Sequence, residues 1–205
     1  MIGIVDYGLG NLFSVKKAFE ALGNDALITN DPDAIKKADR VVLPGIGAFG
    51  DGMNYLKEKG LDEALTEAVI RQGKPFLGIC LGLQLLAETG EEYGTHTGLG
   101  WIRGRVRKID VKSSGLKIPH IGWNDIALRN DSPLLDNVRA PKDFYFVHSY
   151  QLECADSADV VAITEYGEII TAAVQHGNIF ATQFHPEKSQ DHGLQLLKNF
   201  ILWTP

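Results

Sequence analysis

The chain has 205 residues, of which 44% are hydrophobic and 22% charged, and its formal net charge at pH 7 is -6. Its acidic and basic residues are interspersed, without the basic clusters that attract a nucleic-acid backbone or an anionic membrane. No apolar run reaches the roughly 18 residues that a membrane span needs, and the N-terminus lacks the features of a signal peptide. We therefore expect one cytoplasmic domain over residues 1–205, with no nucleic-acid or membrane partner.

The first half of the sequence alternates short apolar runs with amphipathic stretches. In chain order these segments are IGIVDYG, NLFSVKKAFEALG, ALITN, RVVLPGIG, MNYLKEKGLDEALTEAVIRQG and PFLGIC. Nearly continuous apolar strands that are separated by helices are typical of a parallel sheet covered on both faces. Such sheets bind ligands at the carboxyl ends of their strands, which draws attention to the turns after Val5, Leu43 and Leu77.

From Trp101 onward the pattern changes to short, β-rich segments: GRVRKIDV, LKIPHIGWNDIAL, DFYFVHSYQLEC, VVAITEYG and ITAAVQHGNIFATQFHPE. The sequence QHGN predicts a tight hairpin turn. An amphipathic helix is predicted over roughly residues 190–202. The predicted fold is therefore α/β, with a mostly parallel central sheet flanked by helices and a β-rich, partly antiparallel C-terminal half.

The segment KPFLGICLGLQLLAE, residues 74–88, begins like a buried strand and ends like a helix, with Cys80 between Gly78 and Gly82 at the join. A nucleophile elbow needs such a sharp turn, flanked by small residues that let the strained backbone pass its neighbours. At that position a helix N-terminus favours a thiolate, and free backbone N–H groups can bind an oxyanion. The alternative is that Cys80 is a small buried apolar residue, as most free cysteines are.

A nucleophilic thiol needs a base, and of the six histidines His185 has the most suitable setting. It ends the apolar run NIFATQF and is followed by Pro186 and Glu187, so a carboxylate lies close to the imidazole in the sequence. A cysteine, a histidine and an acid that orients the histidine indicate attack on an acyl carbon and a thioester intermediate. Alone, the HPE motif is also compatible with a loop that carries a solvated acid.

The glycine-rich segment from Leu43 to Gly47 follows a neighbouring strand and is suited to supply a second oxyanion donor, because glycine lets a peptide plane turn at low cost. An ordinary glycine-rich turn is the alternative. The second cysteine, Cys154, has no elbow and no adjacent base, and we interpret it as structural. The cysteine and histidine spacing predicts no metal site, and we expect no disulfide or cofactor.

Three motifs, PGIGAFG, GICLGLQLL and FHPEKS, together resemble those of the class I (triad-type) glutamine amidotransferases. Three more, DYGLGNLFSV, PHIGWN and YFVHSY, narrow the resemblance to one branch of that family, the glutaminase subunits of imidazole glycerol phosphate synthases. The resemblance implies the flavodoxin-like fold of the family and hydrolysis of glutamine to glutamate and ammonia. It also implies a heterodimer with the TIM-barrel cyclase subunit of the synthase, which receives the ammonia for histidine biosynthesis.

The same resemblance implies roles for individual residues. Cys80 would be the nucleophile, His185 the general acid and base, and Glu187 its orienting partner. The residues expected at the oxyanion hole are Ile46, Gly47 and Leu81. The residues expected to bind glutamine are Gly45, Gln84, His148, Ser149 and Tyr150. The residues expected at the partner interface are Asn11, Trp123, Tyr145 and Lys188.

Several alternatives stay open at the level of the sequence. Trp123 and Tyr145 suit a core as well as an interface, and a histidine such as His148 at the end of an apolar strand is often structural. The glutaminase for anthranilate or guanylate synthesis would share the triad but not PHIGWN or DYGLGN. A stand-alone γ-glutamyl hydrolase or cysteine peptidase would need no partner. A binding module that has lost catalysis would not need Cys80, His185 and Glu187.

Overall fold

The computed structural model describes residues 1–112 and 114–205. The strands are β1 (Ile2–Val5), β2 (Ala26–Thr29), β3 (Arg40–Gly45), β4 (Phe76–Cys80), β5 (Ala87–Gly90), β6 (His96–Thr97), β7 (Ile102–Lys108), β8 (His120–Asp125), β9 (Ala127–Leu128), β10 (Asp143–His148), β11 (Tyr150–Cys154), β12 (Val160–Tyr166), β13 (Glu168–His176) and β14 (Ile179–Thr182). The α-helices are α1 (Leu12–Ala21), α2 (Pro32–Lys37), α3 (Phe49–Glu58), α4 (Leu61–Leu65), α5 (Leu81–Gln84) and α6 (Gln190–Leu202). A π-helical stretch covers Thr66–Arg71, and 3-10 turns cover Pro133–Leu135, Ser157–Asp159 and Pro186–Lys188. Within the described ranges, no helix has the length and apolar character that a membrane crossing requires.

The central sheet has eight strands in the order β2-β1-β3-β4-β14-β13-β12-β9. Its first five strands are parallel to one another, and β13, β12 and β9 continue it in antiparallel fashion. Two smaller sheets are formed by β10 with β8, and by β11, β7, β5 and β6. The mostly parallel sheet and the antiparallel C-terminal strands confirm the predicted fold class.

Helices cover both faces of the central sheet, which explains the continuous apolar runs of β1, β4 and β14. On one face, Phe19 of α1 and Phe200 of α6 join the buried cluster that includes Ile4 and Ile79. On the other face, Leu56 of α3 joins a second cluster. The strands β3, β4 and β14 are parallel neighbours between these two clusters, so their carboxyl ends lie side by side.

Some elements differ from the predictions. The amphipathic stretch that begins at Met53 was predicted as one helix, but Gly60, at a φ of 63°, separates α3 from α4 and the π-helical stretch. Helix α2 was not predicted, because six residues are too few to show a helical period. The hairpin and the last helix are confirmed, since β13 and β14 pair up to His176 and Ile179 and α6 covers Gln190–Leu202.

The helix predicted after Cys80 is much shorter than expected. Helix α5 ends at Gln84 after one turn, and β5 begins at Ala87. The carbonyls of Leu85 and Leu86 accept hydrogen bonds from the backbone of Leu99 and Trp101, at 2.8 and 2.9 Å, instead of continuing the helix. Tertiary hydrogen bonds thus override the local helical pattern. The expected helix-dipole effect on Cys80 is correspondingly reduced, and the free N–H groups of the first turn remain.

The segment DFYFVHSYQLEC also behaves differently from the prediction, because it contributes to two sheets. Strand β10 pairs with β8, whereas β11 pairs with β7, and the chain changes sheets at Ser149. The carbonyl of Ser149 is fixed there by the backbone N–H of Ile109 at 3.0 Å. This change of sheet brings the end of β10 and the start of β11 close to Cys80.

Candidate active site

Cys80 lies at a strained turn between β4 and α5. Its φ and ψ are 55° and -106°, a left-handed conformation that is unusual for a residue with a side chain. A Cβ on Gly82 would lie 1.8 Å from the carbonyl oxygen of Leu43, and one on Gly78 would lie 2.8 Å from that of Gly82. The sharp turn expected for a nucleophile elbow is therefore present, and both flanking glycines are required by close backbone approach.

His185 and Glu187 form a buried pair next to the end of β14. His185 Nδ1 lies 2.8 Å from Glu187 Oε1, and the two side chains are 3% and 2% exposed. Because a carboxylate can only accept, Nδ1 carries the hydrogen and Nε2 is the basic nitrogen. In the described part of the chain Nε2 has no partner at hydrogen-bond geometry, so it is available to the neighbouring Cys80.

The electrostatic setting of His185 favours its charged form. Burial lowers the pKa of His185, but the adjacent Cys80 and Glu187 outweigh burial and raise that pKa to about 10. A protonated imidazole beside a thiol stabilises the thiolate. The pair can therefore hold a thiolate nucleophile and an acid that protonates a leaving group.

The segment Gly45–Gly47 forms the neighbouring edge of the candidate site. Gly45 of β3 is in register with Cys80, and a Cβ on it would lie 2.0 Å from Tyr7 Oη and 2.9 Å from Leu81 Cβ. Only glycine fits there. Gly47 has a φ of 104°, and the Ile46 side chain is 47% exposed. The three residues predicted for the oxyanion hole thus lie on the two backbone segments that meet at Cys80.

The amide of Gln84 is fixed by two acceptors. Its Nε2 donates to the carbonyl of Tyr150 at 3.0 Å and to Gln183 Oε1 at 3.1 Å. Both amide hydrogens are used in this way, which leaves Gln84 Oε1 to accept from a ligand. An acceptor at this position suits the α-ammonium group of an amino acid.

The ring of His148 is occupied by other protein groups. Its Nδ1 donates to the carbonyl of Tyr150 at 2.9 Å, and its Nε2 lies 2.9 Å from His120 Nδ1. Burial lowers the pKa of His148 to about 3 and that of His120 to about 4, so both rings are neutral. With both ring nitrogens engaged, any contact of His148 with a ligand would come from its backbone.

Three of the four residues predicted at an interface lie together. Trp123 is 50% exposed, and its ring centroid lies 6.2 Å from that of Tyr145. Lys188 Nζ lies 5.8 Å from the centre of the Tyr145 ring, next to the triad turn. The fourth, Asn11, has a local role, since its side chain accepts from Ser14 N at 3.3 Å and caps α1.

Two polar residues of the site were not identified from the sequence. Gln183 is fully buried, and its Nε2 lies 3.7 Å from Cys80 Sγ. His120 pairs with His148, as described above. A polar residue within the apolar run NIFATQF, directly before Phe184 and His185, was a usable signal for Gln183. The position of His120 in PHIGWN gave no comparable signal.

Comparisons with known proteins identify the family and relatives of the chain. Residues 4–203 match the family model described as glutamine amidotransferase class-I. The chain is 46% identical over 209 residues to imidazole glycerol phosphate synthase subunit HisH 2 of Nitrobacter winogradskyi, covering 100% of this chain and 99% of that protein. It is 50% identical over 201 residues to subunit HisH 1 of Campylobacter jejuni, covering 98% of this chain and 99% of that protein.

A solved structure supports the fold. The structure of PurLQS from Thermotoga maritima superposes with a TM-score of 0.72 at 20% identity, covering 98% of this chain and 97% of that one. At this identity the match concerns the fold alone.

Proposed function

The chain belongs to the class I glutamine amidotransferase family, and from that premise we propose that it is the glutaminase subunit of an imidazole glycerol phosphate synthase. It hydrolyses glutamine to glutamate and ammonia through a thioester on Cys80, and the ammonia passes to the cyclase subunit for histidine biosynthesis. The observation that carries the proposal is the strained turn at Cys80 beside the buried His185–Glu187 pair, whose Nδ1 to Oε1 distance is 2.8 Å. The similarity to subunits named HisH, at 46% and 50% identity, supports the choice of synthase.

The first half of the reaction forms the thioester. His185 Nε2 accepts the proton of the Cys80 thiol, and Sγ attacks the side-chain carbonyl carbon of glutamine. Backbone N–H groups of Leu81 and of the Ile46–Gly47 region bind the tetrahedral oxyanion. His185 then protonates the departing nitrogen, the carbon–nitrogen bond breaks, and ammonia leaves.

The second half returns the enzyme to its starting state. His185 accepts a proton from water, and the resulting nucleophile attacks the thioester carbon. The carbon–sulfur bond breaks and glutamate is released, which leaves a Cys80 thiolate beside protonated His185. Return of that proton from His185 to Cys80 restores the starting pair. Glu187 holds the Nδ1–H tautomer throughout and stabilises the imidazolium form.

Glutamine binds between α5 and the start of β11 in this proposal. Gln84 Oε1 accepts from the α-ammonium group, because both hydrogens of its Nε2 are engaged by Tyr150 O and Gln183 Oε1. Backbone groups of Gly45, His148, Ser149 and Tyr150 complete the site. Polar groups without net charge suit a zwitterionic amino acid.

The partner is the TIM-barrel cyclase subunit, with which the chain forms a heterodimer in the cytoplasm. The exposed Trp123, the adjacent Tyr145 and Lys188 lie beside the triad turn and form the proposed contact surface. Such a position lets a partner cover the site and receive ammonia directly. We treat residues 1–205 as one amidotransferase domain, since the family model spans residues 4–203.

The test compares Cys80→Ala with Cys154→Ala, assayed for glutamate release with the cyclase subunit and its nucleotide substrate present. Cys80→Ala is expected to abolish glutamate release and labelling by a glutamine-analogue diazoketone, as seen by mass spectrometry. Cys154→Ala is expected to retain both, because Cys154 lies on β11 and is not part of the triad. Glutamate release by Cys80→Ala at the parent rate would contradict the proposal.

A further inference from the structure

The buried side chain of Gln183 contacts the sulfur of Cys80. Its side chain is fully buried directly after β14, and its backbone N–H donates to Ala172 O at 2.8 Å. Its Nε2 lies 3.7 Å from Cys80 Sγ, a hydrogen-bonding distance for a sulfur acceptor. The two residues are 103 positions apart in the sequence, so only the fold brings them together.

The orientation of the Gln183 amide follows from a chain of hydrogen bonds. The chain ends at the carbonyl of Tyr150, a backbone oxygen that can only accept. Gln84 must therefore present Nε2 to Tyr150 O at 3.0 Å, and the same nitrogen donates to Gln183 Oε1 at 3.1 Å. With its oxygen fixed by Gln84, Gln183 must present its nitrogen to Cys80.

The groups around the sulfur differ in which form of Cys80 they favour. The carbonyl oxygen of Val147 lies 3.9 Å from Sγ and can only accept, so it favours the protonated thiol. A thiolate cannot donate, and Gln183 Nε2 remains its side-chain donor besides His185. Hydrogen bonds to a charged acceptor are about twice as strong as neutral ones. Tyr7, His148 and Glu187 are further titratable groups that face this region.

We propose that Gln183 binds the sulfur of the nucleophile: its amide N–H donates to Cys80 Sγ, stabilises the thiolate and holds it in position for attack. Through Gln84, the same hydrogen-bond chain links the sulfur to the residue that accepts the ammonium group of glutamine. This inference rests on the proposed function, in which Cys80 is the nucleophile and Gln84 binds the substrate.

The test measures the rate of Cys80 alkylation by iodoacetamide as a function of pH. All proteins carry Cys154→Ala, so Cys80 is the single thiol. Gln183→Glu keeps the acceptor for Gln84 and removes the donor to sulfur, and Gln183→Met removes both. Gln175→Glu is the matched control, because Gln175 lies on β13, next to β14, and accepts from Ser132 Oγ at 2.6 Å.

Both Gln183 variants are expected to move the alkylation profile to higher pH by about one unit, since they remove a hydrogen bond to a charged group. In Gln183→Glu, which keeps the acceptor for Gln84, the glutaminase kcat should fall about tenfold or more with a smaller change in KM, because the lost interaction acts on the nucleophile. Gln175→Glu should match the parent in both assays. The neutral Gln183→Met variant decides the inference, because a carboxylate at position 183 would itself repel a thiolate. An unchanged alkylation profile in folded Gln183→Met would overturn the inference.

A second measurement uses the unsubstituted Gln183 and does not depend on whether its variants fold. In ¹⁵N-glutamine-labelled protein, the Gln183 side-chain amide signals should move with pH over the range in which Cys80 alkylation rises. In Cys80→Ala that movement should be absent. Gln183 amide signals that do not move over the pH range in which alkylation rises would overturn the inference. Glutamine hydrolysis by Cys80→Ala would instead overturn the proposed function itself.

Discussion

In the proposed reaction Glu187 acts on the nucleophile through His185, because its Oε1 contacts Nδ1 and no step uses it as a proton carrier. The three triad residues were predicted from the sequence, since each lies in a motif with a recognisable local setting. Gln183 and His120 were not. Gln183 is a polar residue in an apolar run, but its contact with Cys80, like that of His120 with His148, follows only from the fold.

Glu187→Gln is expected to leave partial glutaminase activity, reduced by roughly 10²–10⁴-fold in kcat, because the amide can hold His185 in the wrong tautomer and cannot stabilise its charge. Glutamate release with the partner present measures the effect. Glu165→Gln, at an exposed position on β12, is the control and should match the parent. Full activity of Glu187→Gln would contradict the orienting role.

The buried His120–His148 pair should make the fold sensitive to acid. Both pKa values are lowered from 6.5 in the folded chain, to about 4 and about 3, so the unfolded chain binds protons first. The free energy of unfolding is therefore fully retained above about pH 6.5 and falls as the pH drops toward the folded-state values.

His120→Gln removes one of these groups, and its loss of stability between about pH 7.5 and about pH 4.5 should be smaller by roughly 1–3 kcal/mol. Urea unfolding at the two pH values measures this difference. His176→Gln is the control, since that side chain is 63% exposed, and it should lose as much stability as the parent. If His120→Gln lost as much unfolding free energy at low pH as the parent, His120 would be excluded as a source of the acid sensitivity.

At the scale of elements, the turn between β4 and α5 determines where the chemistry is placed. The sequence predicted the turn because its two glycines flank a cysteine between a strand pattern and a helix pattern. It did not predict that α5 stops at Gln84, because the backbone of Leu99 and Trp101 that competes for the helix carbonyls lies outside the local helical pattern. Likewise, nothing local in DFYFVHSYQLEC indicates that the chain changes sheets at Ser149.

Gly82→Ala tests whether the turn depends on the close contact between the backbones of Gly82 and Leu43. The added Cβ would meet Leu43 O at 1.8 Å, so β3 and α5 must separate, and we expect a loss of at least about 3 kcal/mol in unfolding free energy. Gly73→Ala is the control, because a Cβ there meets open space and only the φ of 67° is strained, which costs about 1–2 kcal/mol. Denaturant unfolding measures the free energy of unfolding of both variants. Equal, small decreases in that free energy would contradict the close contact of Gly82 with Leu43 O.

At the scale of the molecule, the parallel sheet brings three strand ends to one edge, and the smaller β10–β8 sheet adds the exposed aromatic surface beside them. The alternation of strands and helices predicted the parallel sheet. From the sequence, Trp123 and Tyr145 suited a buried core and an interface equally well. In the structure Trp123 is half exposed, so it is not a core residue.

Trp123→Ala is expected to weaken binding of the cyclase subunit by roughly 10–100-fold, as is usual for a large aromatic residue at the centre of an interface. Isothermal titration with the purified cyclase measures the change in Kd. Ile169→Ala, a similarly exposed apolar residue on β13, is the control and should bind like the parent. If Trp123→Ala and Ile169→Ala bound the cyclase with the same Kd, Trp123 would not be part of the contact surface.

The central claim is that Cys80 releases ammonia from glutamine and that the cyclase receives it. The most direct measurement supplies the chain, the cyclase subunit and its nucleotide substrate with glutamine carrying ¹⁵N in the side-chain amide, in a buffer that contains unlabelled ammonium. The account predicts ¹⁵N in the imidazole product at one label for each glutamate formed, and no label with Cys80→Ala. A product that carries only unlabelled nitrogen, or label that persists in Cys80→Ala, would contradict it.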